Sequence, residues 1–430
     1  MHDTHQNIET EQLQDFLIAV RRDLHKYPES GWCEFRTTAV IAGYLRDFGY
    51  RIHFLSDLIE PDSMLGNTAD LKAEKERAVS EGADPELVNR LKCTGLIATI
   101  ESGKPGENYG FRFDIDAVSV GESSSADHLP AKYGFRSVHE NVSHACGHDG
   151  HTALGIALAR YIAGSIASLS GRFTLVFQPA EEGCRGAYSL RDLKLIRETD
   201  QFYAFHLGIC AGNYEIVLAP DNFLVSTKFK VEIFGRSAHA GIEPEKGINA
   251  LHCAALIAVR IFELGKSGPS SRTNIGNFIS GNAQNVISDY VSFNGECRDA
   301  TEEQNNGLMK RIYDITEEIC SQFNAVYKIT VTGQACGIHN SPEQAVHVEK
   351  AAASSGLKII ESAHFNACED CGHLIKAIQD EGKSAGYYIL GNSIRGRHHS
   401  PEFDLDENSL RADLNFLTSL VHAIADRPQN

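Results

Sequence analysis

Apolar residues near the start of the chain recur every three or four residues, which marks one face of an amphipathic helix: Leu13, Phe16, Leu17, Val20 and Leu24. A second helix is predicted from about 34 to 48, where a glycine follows. The stretch 56–93 is less regular but contains two helical patterns, and a short apolar strand follows at 96–100. We therefore expect helices and then a strand, with a helical insertion between them.

Apolar strands and helices alternate in the next hundred residues. Strands are predicted at 109–116, 172–178 and 202–206, and a long helix from 147 to 169 lies among them. Strands that alternate with helices over short connections are typical of an α/β sheet covered by helices.

The order of elements changes between 224 and 332. Strands and helices there follow in the order β-α-β-β-α-β, which is the split βαβ arrangement of ferredoxin-like domains. The α/β pattern resumes afterwards, with a strand at 385–390 and a last helix at 407–424. The predicted fold class is α/β: a helix-covered mixed sheet formed by 1–223 and 333–430, interrupted by an inserted α+β ferredoxin-like domain.

Composition excludes several classes of function. The 430 residues include 40 Lys and Arg against 57 Asp and Glu, a formal charge of −17 that argues against nucleic acid binding. Mean hydropathy is −0.24, and no apolar run approaches the roughly 18 residues of a membrane span. The N-terminus is polar, unlike a secretory signal, and the eleven cysteines are scattered and odd in number. These features predict an acidic protein with free thiols in the cytoplasm.

Metal-capable side chains lie where three of the predicted strands end. Asp114 and Asp116 close one strand, Glu181 and Glu182 follow a second, and His206 ends a third. Ligands of open α/β sheets bind outside the carboxyl ends of the strands. A single histidine is more often a core residue, and a Glu-Glu pair is more often a solvated turn. Their coincidence at several strand ends favours a metal site.

The densest group of such residues is the segment His144–His151, in which five of eight side chains can bind a metal. Cys146 and His148 flank Gly147, so that both side chains can converge on one ion while the backbone turns tightly. Asp149 and His151 then enter the following helix.

Two adjacent carboxylates can divide the work of amide hydrolysis. One of Glu181 and Glu182 can bind metal, while the other takes a proton from water. A dinuclear site would be built from four of the side chains named above: Cys146, His148, Glu182 and His206. It needs a further ligand, which the two histidines in the loop Arg397–Pro401 can supply.

At these residues the sequence resembles the M20 family of metallopeptidases, specifically its amidohydrolase branch. That branch hydrolyses hippurate, other N-acyl amino acids, indole-acetyl amino acids and p-aminobenzoyl-glutamate. The matching segments cover nearly the whole chain: 22–25, 29–32, 111–117, 144–151, 178–183, 235–241, 285–287, 369–370 and 399–407. The insertion at 56–93 and the segment Glu29–Trp32 are most similar to the p-aminobenzoyl-glutamate hydrolases.

The resemblance implies a role for each site residue. Two divalent metal ions per subunit, zinc or manganese with cobalt and nickel as alternatives, would have five protein ligands: Cys146, His148, Glu182, His206 and His399. Glu181 would be the general acid/base, and Asp116 would orient the ligands from behind. His239 of the inserted domain would polarise the scissile carbonyl, in its own subunit or across a dimer. Asn285 and Arg298 would hold the polar or carboxylate end of the substrate.

Three positions depart from the family pattern. Cys368 and Cys371 form an isolated Cys-x-x-Cys. We interpret it as two packed thiols in preference to a redox-active or metal-binding pair. Ser288 stands where the family has proline. His398 precedes His399, which makes the fifth ligand ambiguous, although the match of His-Ser-Pro favours His399.

The predicted function is a dinuclear metal-dependent amidohydrolase that acts on N-acyl or N-aroyl amino acids. The leading substrate is p-aminobenzoyl-glutamate, and hippurate-like, indole-acetyl or short-peptide amides are alternatives. The predicted partner is a second copy, in a homodimer through the inserted lid or dimerisation domain at 224–332, and a hetero-oligomer with a paralogous chain stays open. The alternative from another functional class is a non-catalytic partner of an active hydrolase. The presence of Glu181 and of every predicted metal ligand argues against that alternative.

Overall fold

A computed structural model describes residues 2–281 and 283–426. The helices, apart from short 3-10 turns, are α1 (His2–Lys26), α2 (Phe35–Asp47), α3 (Leu71–Ser80), α4 (Pro85–Arg90), α5 (Leu129–Tyr133), α6 (His148–Ser165), α7 (Ala187–Leu190), α8 (Lys194–Arg197), α9 (Ala250–Leu264), α10 (Glu302–Phe323), α11 (Ala345–Ser355), α12 (Gly372–Gln379) and α13 (Glu407–Ala425). The strands are β1 (Arg51–Phe54), β2 (Leu96–Glu101), β3 (Asn108–Asp114), β4 (Arg172–Gln178), β5 (Gln201–Leu207), β6 (Glu215–Asp221), β7 (Val225–Phe234), β8 (Arg272–Ser280), β9 (Tyr290–Asp299), β10 (Val326–Ala335), β11 (Lys358–His364) and β12 (Ser384–Leu390).

Eight strands form a mixed sheet, the large sheet, in the order β1-β2-β4-β3-β5-β12-β6-β11. Its central strands β4, β3, β5 and β12 run parallel, whereas β1 and β2 pair in antiparallel fashion at one edge. Strand β3 is buried along its whole length. Because parallel strands end at the same edge, the residues that follow these four strands lie close together.

Helices cover both faces of the large sheet, and two apolar clusters form its core. Helix α6 is almost entirely buried and packs on the sheet through small residues. A Cβ atom at Gly155 would lie 2.7 Å from the ring of Phe113, so only glycine allows this close approach. The approach brings the first turn of α6 to the carboxyl edge of the sheet.

The remaining four strands form a separate antiparallel sheet, the small sheet, in the order β10-β7-β9-β8. Helices α9 and α10 pack on it around an apolar core of their own. The large mixed sheet and the separate antiparallel sheet confirm the predicted fold class. The domain boundaries at 224 and 332 stay predictions.

Three strands of the large sheet, β1, β6 and β11, lie outside the sequence prediction. Strand β1 has only four residues, β6 has a short apolar run that ends at Pro220, and β11 is an edge strand with mostly exposed or half-exposed residues, so none of them has the pattern of a long buried strand. The predicted helix starts in the insertion do occur, and the side chain of Asp84 caps α4 by accepting from the N–H groups of Glu86 and Leu87. Within the described ranges, no helix is both long and apolar enough to cross a membrane.

Candidate metal centre

Metal-capable side chains from four segments meet at the carboxyl edge of the large sheet. They come from the start of α6, the turn after β4, the end of β5 and the loop after β12: Cys146, His148, Glu181, Glu182, His206 and His399. One ligand atom each from Cys146, His148 and His206 lie within 4.8 Å of one another. The same holds for Cys146, Glu182 and His399. The two groups share Cys146, as expected for two adjacent metal positions.

The backbone and its neighbours orient the two buried histidines. Gly147 adopts a φ of 87°, a left-handed turn that separates Cys146 from the first residue of α6. The Nδ1 of His148 donates to the carbonyl oxygen of Asp116 at 2.9 Å, and that of His206 donates to the carbonyl of Leu207 at 2.9 Å. Both rings therefore direct Nε2 at the cluster. The Nε2 of His148 is buried without a hydrogen-bond partner among the described residues, which fits a metal ligand.

Asp116 holds the turn that carries the two glutamates. Its carboxylate accepts the N–H of Glu181 at 3.1 Å and that of Glu182 at 2.9 Å. Ala180, just before them, has a φ of 53°, and its N–H donates to the carboxylate of Glu34 at 2.8 Å. Two buried carboxylates thus stabilise a strained turn at the place where the chemistry needs fixed positions.

The two adjacent glutamates have opposite electrostatic surroundings. Burial and the negative charges of Glu369 and Glu182 raise the pKa of Glu181 well above its ordinary value. Burial also opposes the ionisation of Glu182, but a hydrogen bond with His399 and the charge of His148 lower its pKa to about 2. One carboxyl group is therefore suited to hold a proton while its neighbour stays anionic.

Two other residues of the segment His144–His151, His151 and Asp149, have polar partners outside the predicted ligand set, although one ring nitrogen of His151 also lies within 4.8 Å of ligand atoms of Asp114 and His148. Both ring nitrogens of His151 have partners, the carboxylate of Asp114 and the N–H of Leu207, each at 3.2 Å. Asp149 accepts from Arg21 and is 2.8 Å from a ring nitrogen of His25. Sequence spacing alone did not separate these structural residues from Cys146 and His148.

The structure brings both histidines of the last loop near the cluster. The Nδ1 of His398 lies 3.6 Å from the sulfur of Cys146, and the Nε2 of His399 lies 3.2 Å from Oε1 of Glu182. His398 is half-buried, and His399 is exposed over about half of its side chain, 52%. Of these two described histidines, only His399 completes a group of three with Cys146 and Glu182.

The structure does not bring His239 and Asn285 to this cluster. Both are exposed, and they lie side by side near the small sheet, where the N–H of Ala240 donates to the carbonyl of Asn285 at 2.9 Å. Among the contacts of the described chain, none joins either side chain to the metal cluster. To act at the cluster, as the resemblance implies, these two residues would need a closing motion or a second chain.

Arg298 interacts with Cys368, one member of the predicted cysteine pair. A hydrogen bond with Cys184, together with the positive charges of Arg298 and Lys228, lowers the pKa of Cys368 to about 7. Burial of the thiol acts in the opposite direction and raises the pKa. Cys371 is fully buried at the start of α12. The thiol of Cys368 therefore interacts with Cys184, a partner that the Cys-x-x-Cys pattern does not indicate.

The segment that holds this cluster matches a known protein family. The model of peptidase family M20/M25/M40 matches residues 110–423, which contain all the metal-capable residues of the cluster. The chain belongs to this family.

Relatives support the assignment to the M20/M25/M40 family over almost the whole length. The chain is 35% identical to a Haemophilus influenzae homolog of one subunit of p-aminobenzoyl-glutamate hydrolase, over 95% of this chain and 98% of that protein. It is 34% identical to the indole-3-acetyl-aspartic acid hydrolase of Enterobacter agglomerans, over 90% and 91%. The crystal structure of an aminobenzoyl-glutamate utilization protein from Klebsiella pneumoniae matches with a TM-score of 0.82, 29% identity and 97% coverage of both chains. The predicted family and class of enzyme, a metal-dependent hydrolase of amide bonds, are confirmed.

Sequence reasoning missed a buried charge network beneath the cluster of this M20 family member. The fully buried guanidinium of Arg112 donates to Asp114 at 2.6 Å, to Gln178 at 2.9 Å and to Glu369 at 3.0 Å. Asp370 accepts the N–H groups at the start of α7, each at 3.0 Å, and so holds the chain that follows Glu182. The alternation of charged and apolar residues along β3 could have indicated this network, because charged side chains on a buried strand need buried partners.

Proposed function

We propose that this M20 family member uses two divalent metal ions to hydrolyse the amide bond of N-acyl or N-aroyl amino acids, with p-aminobenzoyl-glutamate as the leading substrate. The observation that carries the proposal is the pair of adjacent carboxyl groups with opposite pKa shifts, Glu181 and Glu182, beside two overlapping ligand groups. The names of the two relatives, which describe hydrolases of p-aminobenzoyl-glutamate and of indole-3-acetyl-aspartate, support this substrate class.

Five residues would hold the ions: Cys146, His148, Glu182, His206 and His399. A thiolate, imidazoles and a carboxylate suit zinc, and manganese, cobalt and nickel are compatible with the same mixed set. When bound, the ions would supply Lewis-acid activation of the attacking water and of the scissile carbonyl.

Glu181 carries the proton in this mechanism. Its Oε2 lies 4.0 Å from Nε2 of His148, so it faces the space between the ligands. The carboxylate takes the proton of the attacking water and later gives it to the leaving amine. Burial among other carboxylates raises the pKa of Glu181, which helps it to retain the proton between these two steps.

The small sheet would act as a lid that supplies the remaining groups. His239 donates a hydrogen bond to the oxygen of the scissile carbonyl, where negative charge develops. Asn285 and the forked guanidinium of Arg298 bind the carboxylate of the amino acid. Arg298 already faces the larger domain through Cys368, and its Nε is buried without a partner among the described residues.

A homodimer through the lid accounts for the exposed position of His239. Strand β8 is an edge strand of the small sheet, and the neighbouring surface exposes apolar side chains: Val259 (62%), Phe262 (45%) and Ile279 (58%). An open edge with apolar neighbours is suited to pairing with a second copy. A hetero-oligomer is the second candidate, since the names of two relatives describe one subunit of a hydrolase or its homolog.

A panel of amides combined with metal quantification tests the proposal. The purified chain is stripped with a chelator, reloaded separately with zinc, manganese, cobalt or nickel, and assayed on p-aminobenzoyl-glutamate, hippurate, indole-acetyl-aspartate and a dipeptide. We expect two bound ions per chain and fastest release of p-aminobenzoate. A chain with two bound ions that cleaves no amide would contradict the proposal and favour a non-catalytic partner of an active hydrolase.

A further inference from the structure

A cavity of about 610 Å³ lies between the small sheet and the turn that carries the two glutamates. On one side it is lined by residues of β7, β8 and β9, and on the other by Gly66, Gly183 and Arg185. Gly183 directly follows Glu182, so the cavity adjoins the candidate metal centre. A substrate whose amide reaches the metal centre has room here for one of its ends.

Two of the positively charged residues that line the cavity form no ion pair among the described residues. Lys230 is paired with Glu232 at 2.9 Å, and Glu296 is paired with Arg298 at 3.0 Å. Among the described residues, Arg185 and Lys228 form no ion pair, although both are only partly exposed. In a chain with a formal charge of −17, such a site concentrates anions locally.

Arg185 is held in place by its surroundings. Its Nε donates to the carbonyl oxygen of Glu182 at 2.8 Å. A Cβ atom at Gly66 would lie 3.0 Å from the Cδ of Arg185, and one at Gly31 would collide with its Nη2. The side chain of Arg185 therefore occupies a groove that is open only because Gly31 and Gly66 have no side chains. Because the side chain is held in one position, binding of a ligand to it would cost less conformational entropy.

Lys228 approaches the same turn from the small sheet. A Cβ atom at Gly333 of β10 would lie 3.3 Å from the Cδ of Lys228 and would collide with the carbonyl oxygen of Gly183. Since Arg185 also lies against Gly183, with its Nε 3.3 Å from a Cβ atom placed there, the two cations flank one glycine. One comes from the turn after β4 and the other from β7.

We propose that Arg185 and Lys228 form a subsite for the side-chain carboxylate of an acidic amino acid. The enzyme would then select N-acyl glutamate or aspartate over amides of neutral amino acids. This inference rests on the proposed function, in which Arg298 and Asn285 bind the other carboxylate. Two cations that form no ion pair match a second negative charge, which a neutral side chain would not supply in this partly desolvated cavity.

The test compares two substrates that differ only in this charge, p-aminobenzoyl-glutamate and p-aminobenzoyl-glutamine. In Lys228→Met and in Arg185→Met, we expect the ratio of kcat/KM for glutamate over glutamine to fall about 10- to 100-fold, as for the loss of a charge-assisted hydrogen bond. Lys228→Arg should retain most of the ratio. The matched control is Lys328→Met, which removes the same charge from an exposed position on β10, outside the cavity lining.

Each other outcome has a definite meaning. Equal losses on both substrates, or an unchanged ratio in both variants, overturn the subsite while leaving the amidohydrolase activity established. If the unmodified, metal-loaded protein cleaves neither compound, the proposed function fails, and calorimetry on the same two compounds decides the subsite. Tighter binding of the glutamate compound that disappears in Lys228→Met supports it, and equal affinity for both compounds overturns it.

Discussion

The metal centre and the small sheet hold their functional residues in contrasting ways. At the candidate metal centre, buried groups hold the chain in place: Asp116 accepts the backbone N–H groups of the two glutamates, and Arg112 donates to Asp114 and Glu369. On the small sheet, His239 and Asn285 are exposed and make no described contact with the cluster. The half of the site that we propose to carry the proton is thus pre-organised within one chain, whereas the half that would bind the carbonyl is not.

The difference separates two tasks. Metal ligands and a general base must keep their geometry without substrate, because each ligand that moves weakens ion binding. Groups that stabilise the oxyanion are needed only after the substrate has entered, so they can arrive by closure or from a second copy. Each half of the site can therefore be altered and tested separately.

The largest effect is expected from Glu181→Gln at the pre-organised half. Glutamine keeps the shape of Glu181 but cannot accept the water proton, so kcat should fall about 10³-fold or more. Metal content, measured by mass spectrometry of the loaded protein, should stay at the wild-type value because Glu181 is not a proposed ligand. Glu76→Gln on the exposed face of α3 is the control. Near-normal turnover in Glu181→Gln would remove Glu181 from its role.

The buried charges beneath the metal centre should make folding depend on pH. Burial opposes a charge on His25, but hydrogen bonds with Asp149 at 2.8 Å and Glu122 at 2.9 Å raise its pKa to about 9. A raised pKa stabilises the fold fully below the ordinary value of 6.5, and this contribution is lost as pH rises through about 9. The full difference corresponds to about 3 kcal/mol.

Urea unfolding between pH 6 and 10 measures this contribution. Stability of the wild type should decline over the alkaline part of the range, and His25→Gln should remove most of the decline. His252→Gln, at an exposed position of α9, controls for the substitution itself. A decline of equal size in His25→Gln would show that other groups cause it.

The ends of the buried strands could be predicted from the sequence because the patterns that mark them involve only residues that are close together in the chain. The buried strands β3, β4 and β5 have continuous apolar or alternating patterns, and parallel pairing then places Asp114, Glu182 and His206 at one edge. The ligand pair around Gly147 was also visible, since the turn needs a glycine with positive φ.

The rest depends on contacts between distant parts of the chain. Arg112 and Glu369 are 257 positions apart, and Cys184 and Cys368 are brought together only by the packing of two segments onto one sheet. The cations of the cavity belong to a turn and to a strand of the other sheet. Local periodicity carries no information on how two sheets are placed against each other, so neither the cavity nor the separation of His239 from the cluster could be predicted.

The smallest of the three effects is expected for His239, on the half of the site that is not pre-organised. His239→Ala removes one donor to the oxyanion, so kcat should fall about 100-fold while metal content and unfolding stay unchanged.

Mixing this variant with Glu181→Gln, under conditions in which subunits exchange, distinguishes the two routes by which His239 can reach the cluster. If His239 acts across a dimer, each mixed dimer has one complete site, and activity should return to about a quarter of the wild-type value. If it acts by closure within its own chain, every site in the mixture lacks one residue and activity stays at the level of the separate variants. Recovery would assign the exposed half of the site to a second copy, and its absence would assign it to a motion of the small sheet.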